Sequence, residues 1–392
     1  MLGVLEIALR LLGPPPPPPE DSLRTYTEYD ADMGWRGRPG AKGTYRTSSF
    51  LIDVALNSGG FRDDEVPALV EGTPGVEAPR TGAAGQAPAS IPSGITIVLL
   101  GDSFAWGFGV SRAEAFADRV ESAIPGVRVQ NFGVCGYGTD QELLVFRRSA
   151  APLHPRVVLV EFAVGNDLDN VLSARAYNLP KPRFLIHGDA LDLTGVPVPR
   201  TENWNRAART GVRDFLTAHV RLYAWARPRW ASLRGRAEHL MAFIRPDKQG
   251  LRIAILRREP SDRVEHGWRL AEMLLGSIAR EAAASGARTA LLVVSDRTQI
   301  DDALWAAVVK EQALDAAAYD RDLPDRRLGA IGERLGITIV DPTGALRGRA
   351  AAGEELFVPG DPHWNAAGHR VAAEELVRVL TPMMAATAPP AK

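Results

Sequence analysis

The chain has 392 residues, of which 45% are hydrophobic and 24% are charged, a composition typical of globular proteins with a large buried core. Its formal net charge of −1 argues against general binding to nucleic acid. Cys135 is the only cysteine, which excludes an intramolecular disulfide and any zinc site built from cysteines.

The first twenty residues are expected to lie apart from the folded body. Residues 1–13 are shorter than the ~20 apolar residues of a spanning helix, but four leucines share one helical face: Leu2, Leu5, Leu9 and Leu12. This face can lie on a membrane, end a longer membrane segment, or pack against the domain, and these alternatives stay open. No signal-peptide pattern is present. The six prolines at 14–19 predict a stiff, extended spacer.

Residues 21–94 predict an N-terminal extension of mixed character. Short strands are expected at residues 44–49 and 51–55, followed by a turn at Asn57-Ser58-Gly59-Gly60. Residues 71–94 are rich in Gly, Ala, Pro and Ser, and a disordered insertion is expected there. The tail at 386–392 is also expected to be disordered.

The core begins with the apolar run at residues 95–100, which predicts a buried strand. Further strands are expected at residues 127–132, 157–164, 289–294 and 337–340, and helices at 112–124, 140–149 and 365–380. Gly286 and Gly336 suit helix C-terminal caps. Strands that alternate with helices predict a parallel sheet with helices on both faces.

Residues 170–287 interrupt this pattern and predict an insertion. A hairpin is expected at residues 183–192 and an amphipathic helix at 212–230. Residues 200–258 carry fourteen Lys or Arg against four Asp or Glu, with tryptophan and tyrosine interleaved. Such a segment can bind a membrane surface, cover a site, or form a solvated face.

Ser103 follows the first core strand directly, where open α/β sheets place their active sites. A serine nucleophile needs a base, and His363 lies in the turn-rich stretch Asp361-Pro362-His363, where Asp361 can orient the ring. The Ser103 N–H, the Gly136 N–H and the Asn166 amide are candidate oxyanion donors. All three donors follow the carboxyl ends of predicted strands, so they can converge on one edge of the sheet.

Other motifs are excluded. Residues 133–138 read G-x-x-G-x-G, which is not the dinucleotide-binding spacing. The sequence has no phosphate-binding G-x-x-x-x-G-K-[ST], no G-x-S-x-G elbow of the α/β-hydrolases and no H-E-x-x-H.

These residues resemble the SGNH/GDSL hydrolase superfamily in four blocks. The blocks are Gly101-Asp102-Ser103, Asn131 to Gly136, Gly165-Asn166-Asp167 and Asp361-Pro362-His363. The resemblance implies that Ser103 is the nucleophile and that Gly136 and Asn166 donate to the oxyanion. Two positions depart from the usual pattern: Val164 replaces a glycine, and the acid precedes the histidine by two residues instead of three. The two-residue spacing is similar to that of alginate-type O-acetyltransferases.

The sequence therefore predicts a three-layer α/β/α sandwich with a five-stranded parallel, flavodoxin-like sheet over residues 95–385. The expected activity is acyl-ester hydrolysis or O-acyl transfer on a carbohydrate or small ester, without a metal or organic cofactor. A membrane surface is a further expected partner, through residues 1–13 and 200–258. The alternative is a non-catalytic module that binds envelope polysaccharide or membrane.

Overall fold

A computed structural model describes residues 21–65, 95–201 and 250–385, with the isolated residues 6, 10, 216 and 219–223. Several predicted segments lie outside the described residues. They are most of the N-terminal helix, the proline spacer, the disordered insertion at 71–94, most of the basic segment 200–258 with its helix at 212–230, and the tail at 386–392.

Thirteen strands occur in the part of the chain that the structure describes. In chain order they are β1 (Thr27–Asp30), β2 (Gly34–Gly37), β3 (Lys42–Arg46), β4 (Leu51–Ala55), β5 (Ile95–Leu100), β6 (Val127–Asn131), β7 (Val157–Ala163), β8 (Arg175–Ala176), β9 (Leu179–Pro180), β10 (Arg183–His187), β11 (Ala190–Thr194), β12 (Arg288–Val294) and β13 (Thr338–Val340).

A five-stranded parallel sheet forms the centre of the molecule, in the order β13–β12–β7–β5–β6. Numbered along the core, this order is 2-1-3-4-5, which confirms the flavodoxin-like prediction. The chain direction reverses across the sheet between β5 and β7. The carboxyl end of β5 therefore opens onto the crevice where such sheets bind ligands.

Eleven α-helices occur within the same described ranges. They are α1 (Ser103–Trp106), α2 (Phe116–Ala123), α3 (Thr139–Val145), α4 (Asp167–Leu172), α5 (Leu251–Ala254), α6 (Asp262–Ala284), α7 (Arg297–Ile300), α8 (Asp302–Glu311), α9 (Leu323–Leu335), α10 (Thr343–Ala351) and α11 (Ala366–Ala385).

The side chains of each core strand alternate between two hydrophobic layers, as the pleat of a strand requires. On β5, Val98 and Leu100 join the layer under α3, α4 and α6, whereas Ile97 and Leu99 join the layer under α2 and α11. This division confirms the three-layer sandwich. Helix α6 packs on β7 and β12 although it lies within residues 170–287, so this part of the predicted insertion covers the sheet.

Two predicted helices are shorter in the structure. The expected helix at 112–124 is split, because Ala115 adopts an extended conformation between a 3₁₀ turn at Arg112–Glu114 and α2. The Ser111 N–H donates to Glu114 Oε2 and closes this first turn as a capping box. The expected helix at 140–149 continues from α3 as a wider π-type turn over Phe146–Ala150. The predicted hairpin is confirmed as the pair β10–β11.

The N-terminal segment contacts the region after β11 at the few residues described there. Glu6 accepts hydrogen bonds from the backbone N–H groups of Arg221 (3.0 Å) and Leu222 (2.7 Å), and its carboxylate pairs with Arg10. Among the described helices, none combines the length and apolar character that crossing a membrane requires.

Candidate active site

Ser103 is the first residue of α1, a single helical turn that follows β5. Asp102 precedes the helix, and its carboxylate accepts the Phe104 N–H at 2.8 Å. Gly107, in the left-handed conformation, ends the helix after one turn. A side chain at Gly101 would lie 2.6 Å from Glu161 Oε2, so only glycine fits between the strand and this turn. The local sequence therefore presents Ser103 at the edge of the sheet.

The three predicted triad residues lie in contact. Ser103 Oγ is 2.7 Å from His363 Nε2, and His363 Nδ1 is 2.5 Å from Asp361 Oδ1. The carboxylate accepts the Nδ1 proton, which leaves the Nε2 lone pair to accept the serine hydroxyl. The acid, the base and the hydroxyl thus form one continuous chain of hydrogen bonds.

The two-residue spacing works because Asp361 and His363 share one turn. Asp361 Oδ1 also accepts the backbone N–H of His363 at 2.9 Å. The rings of Phe104 and Phe108 lie 4.8 Å and 4.5 Å from the imidazole, centroid to centroid, and flank it. The turn and the two rings hold the imidazole in the orientation that faces Ser103.

The Asp361 carboxyl is half-buried, and its environment favours the charged form. Burial on its own raises the pKa of Asp361, but the hydrogen bonds and the charge of His363 outweigh burial. The net effect lowers the pKa below its ordinary value. Asp361 is therefore a carboxylate at neutral pH and can stabilise a positive charge on the imidazole.

Two candidate oxyanion donors have free N–H groups. The backbone N–H groups of Ser103 and Gly136 donate to no other group in the described ranges. Gly136 has φ of +83°, and a Cβ on it would overlap the ring of Tyr177, so the position requires glycine. A Cβ on Gly133 would meet the backbone of α1 at 2.8 Å. The loop after β6 therefore packs directly against the helix that carries Ser103.

The third candidate donor is already engaged. Asn166 begins α4 after β7, and its Nδ2 donates to Asp102 Oδ2 at 2.8 Å. Its amide is thus fixed next to the residue that precedes the nucleophile, with one N–H left over. Val164, where the family pattern has glycine, is buried in the core and donates its N–H to Val294. The departure at Val164 leaves Asn166 beside the site.

Three buried carboxyl groups beneath the site were not anticipated from the sequence. Glu142, Glu161 and Asp167 are each at most 1% exposed. Burial, and then the charge of nearby carboxylates, raises the pKa of each well above its ordinary value. Glu161 Oε2 accepts the Asp102 N–H at 2.9 Å, so it supports the turn before Ser103. A glutamate within the apolar run at 157–164 was the available sequence signal.

A cavity of about 220 Å³ opens at Ser103 and His363. Its walls are largely aromatic, and they include Tyr26, Tyr45, Trp106, Phe108 and Tyr177. A space of this kind, mostly apolar with a few polar groups at one end, is typical of small-molecule sites.

Comparisons with known proteins agree with this geometry. Residues 231–392 match the family model of the SGNH hydrolase-like domain of acetyltransferase AlgX. The match includes Asp361 and His363, whereas Ser103, Gly136 and Asn166 precede it. No curated protein matches the chain.

Solved structures similar to this chain include three bacterial-type lipolytic or esterase folds at low identity. TesA is 12% identical, with 74% of this chain and 99% of that chain covered and a TM-score of 0.35. A GDSL-family lipolytic protein from Veillonella parvula is 14% identical, covering 73% and 98%, with a TM-score of 0.37. A catalytic variant of Axe2, an acetylxylan esterase from Geobacillus stearothermophilus, is 12% identical, covering 74% and 95%, with a TM-score of 0.39.

The strand order, the serine turn after β5 and the Asp-x-His turn before α11 all occur in the arrangement that the four sequence blocks imply. The family model matches the part of the chain that supplies the acid and the base. The chain belongs to the SGNH/GDSL hydrolase superfamily.

Proposed function

We propose that the protein is a serine-dependent acyl-ester hydrolase or O-acyltransferase that acts on a carbohydrate or other small ester. The observation that carries the proposal is the continuous chain from Ser103 Oγ through His363 to Asp361, with distances of 2.7 Å and 2.5 Å. An isolated histidine or serine has structural explanations, but this chain of three has the order that nucleophilic catalysis needs.

In the first half of the reaction, Ser103 Oγ attacks the acyl carbonyl while its proton passes to His363 Nε2. The N–H groups of Ser103 and Gly136 and the amide of Asn166 hold the negative oxygen of the tetrahedral intermediate. The intermediate collapses when the bond to the leaving alcohol breaks, and the alcohol oxygen takes the proton from Nε2. The product is an acyl ester on Ser103.

In the second half, water or a sugar hydroxyl gives its proton to Nε2 and attacks the acyl carbon. The bond to Ser103 Oγ then breaks, and Oγ takes the proton back from His363. Water yields the free acid, and a sugar hydroxyl yields an O-acyl sugar. The same residues therefore serve hydrolysis and transfer, and the second nucleophile decides between them.

The test is a product analysis with p-nitrophenyl acetate, with and without methyl β-D-glucopyranoside as acceptor. We expect p-nitrophenolate release by the wild type, and acetate or acetylated glucoside as the second product. Ser103→Ala should lose about 10⁶ in rate. Equal release by the wild type and Ser103→Ala would overturn the proposal.

A further inference from the structure

The cavity at Ser103 is built from two parts of the chain. The core supplies Ser103, His363, Trp106 and Phe108, whereas the N-terminal extension supplies the opposite residues, among them Tyr26 and Tyr45. The extension precedes the residues that carry the superfamily resemblance. Its strands β1 to β4 therefore add a wall to a site whose chemistry belongs to the core.

Buried hydrogen bonds fix this wall to the core. The Arg62 guanidinium, 3% exposed, donates to the carbonyl oxygens of Trp106, Gly107, Val110 and Asp53. Three of these carbonyls belong to the segment that follows Ser103. The wall is therefore held in place before any substrate binds, which lowers the entropic cost of binding.

A second set of contacts ties the extension to the oxyanion loop. Trp35 Nε1 donates to the carbonyl oxygen of Cys135 at 3.1 Å, next to Gly136. Gln141 Nε2 donates to the carbonyl oxygen of Met33 at 2.7 Å. These bonds join β2 and the turn before it to the loop and helix that follow β6.

The wall presents aromatic faces to the cavity. The Tyr45 ring packs against Trp106 at 6.1 Å and Phe108 at 5.4 Å, and stacks with Tyr26 at 6.0 Å. The Tyr45 hydroxyl has no hydrogen-bond partner in the described part of the chain. Rings of this kind bury the C–H face of a sugar, and a phenol hydroxyl can bond a hydroxyl on its edge.

The cavity also lacks a positive charge to match an anionic substrate. No lysine or arginine lines it among the described residues, and Asp361 contributes a carboxylate. Arg62 lies 4.7 Å from the centre of the Trp106 ring but does not line the cavity, and four carbonyl groups engage it. A uronate bound here would lose its hydration without gaining a cation, which is costly.

The size of the space fits one sugar ring. Water occupies about 30 Å³ per molecule in the liquid, so the cavity of about 220 Å³ corresponds to roughly seven water molecules. This is the scale of a single sugar ring with a small acyl group. The opening beside Tyr177, which is 58% exposed, leads from the cavity to solvent.

We propose that strands β1 to β4 complete an uncharged aromatic subsite over Ser103, which binds a neutral glycosyl unit and discriminates against a uronate. The inference rests on the proposed function, because it names the substrate class of the same site. It follows from the placement of the extension's aromatic residues against the core and from the absence of a lining cation in the described ranges.

The test uses two esters that differ only at C6. They are methyl 3-O-acetyl-β-D-glucopyranoside and the corresponding glucopyranosiduronate, with p-nitrophenyl acetate as a substrate that carries no sugar. We expect kcat/KM for the neutral sugar ester to exceed that for the uronate by about tenfold or more. Equal values, or a preference for the uronate, would overturn the inference while turnover of p-nitrophenyl acetate keeps the proposed function.

A charge variant sharpens the comparison. Tyr177→Arg places a guanidinium at the mouth of the cavity, where the ring now lies over Gly136. We expect this variant to raise kcat/KM for the uronate about tenfold relative to the neutral ester. Leu193→Arg adds the same charge at an exposed position on β11 outside the cavity and should leave the ratio unchanged. A ratio that shifts equally in both variants would contradict a local effect.

A binding measurement separates the subsite from the chemistry. Methyl β-D-glucopyranoside and its uronate are titrated into Ser103→Ala and followed by NMR of the sugar. We expect the glucoside alone to bind. If the wild type fails to turn over p-nitrophenyl acetate, the proposed function is wrong, and this titration still decides the subsite. Binding of neither sugar, or of the uronate in preference, would overturn the inference.

Discussion

Asn166 is the candidate donor whose role in catalysis can be separated from its role in stability. Its Nδ2 donates to Asp102 Oδ2 at 2.8 Å, and the Asp102 carboxylate is 1% exposed. Asn166→Ala removes this bond, and a hydrogen bond to a charged group contributes about 1.5–3 kcal/mol. We therefore expect the free energy of unfolding to fall by about that amount.

The same substitution removes one donor to the oxyanion. Loss of one such donor typically lowers kcat by about 10²–10³, which corresponds to ~3–4 kcal/mol in the transition state. Because the donor acts on charge that develops during the reaction, kcat should fall while KM changes little. The two effects are distinct, since a merely destabilised enzyme keeps its activity per folded molecule.

The assay combines urea unfolding with the kinetics of p-nitrophenyl acetate, corrected for the folded fraction. Asn170→Ala is the matched control, because Asn170 lies on the same helix and its Nδ2 donates to the carbonyl oxygen of Tyr137 at 3.2 Å. It should lose stability but retain kcat. Unchanged kcat in Asn166→Ala, or an equal loss of kcat in Asn170→Ala, would refute the role of Asn166 as a donor.

Three further predictions follow from the contacts. Asp361→Asn should lower kcat by about 10⁴, because His363 loses the acceptor that fixes its tautomer, and a near-wild-type rate across pH 6–9 would mean that another acid does this work. Glu142→Gln should remove a pH dependence of stability: the native state keeps a proton that the unfolded state loses above about pH 4.3, so the wild type loses ~1.4 kcal/mol per pH unit up to its raised pKa. Urea unfolding from pH 5 to 7 should show the variant gaining on the wild type, and a constant difference would contradict burial of a neutral Glu142. Arg62→Met should cost about 3–5 kcal/mol of unfolding free energy, since it leaves buried carbonyl groups without donors, and a loss below ~1 kcal/mol in the same titration would mean that the extension is held by other contacts.

The parts of the site that could be predicted are those whose pattern is local. An apolar run followed by Gly101-Asp102-Ser103 defines a strand and the turn after it, whatever the rest of the chain does. Asp361 and His363 share one turn, so their contact also depends on neighbouring residues alone. The 260 residues between Ser103 and His363 are bridged by the parallel sheet, whose edge collects the ends of its strands.

The role of the extension could not be predicted, because it depends on docking between distant segments. Tyr26 and Tyr45 lie in or beside short strands with no strong periodicity. Their position over Ser103 follows from the bonds of Arg62 to the segment after α1. Arg62 and its neighbours were noted only as a resemblance, and their buried carbonyl partners have no signature in the sequence.

The buried carboxyl groups and the boundary of the insertion were missed for a similar reason. Glu161 interrupts an apolar strand, but the sequence does not show that Glu142 and Asp167 meet it in the fold. Helix α6 was expected as a helix, yet whether it covers the sheet or belongs to an insertion depends on tertiary packing. In each case the residue type was visible and its neighbours were not.

The central claim is that Ser103 is a nucleophile activated by His363, and covalent labelling tests it most directly. A fluorophosphonate probe should add one label per chain, which peptide mass spectrometry should locate on Ser103, with activity lost in parallel. His363→Ala should be labelled far more slowly, because the hydroxyl loses its base at 2.7 Å. Labelling that persists unchanged in Ser103→Ala, or that maps to another residue of the wild type, would contradict the account.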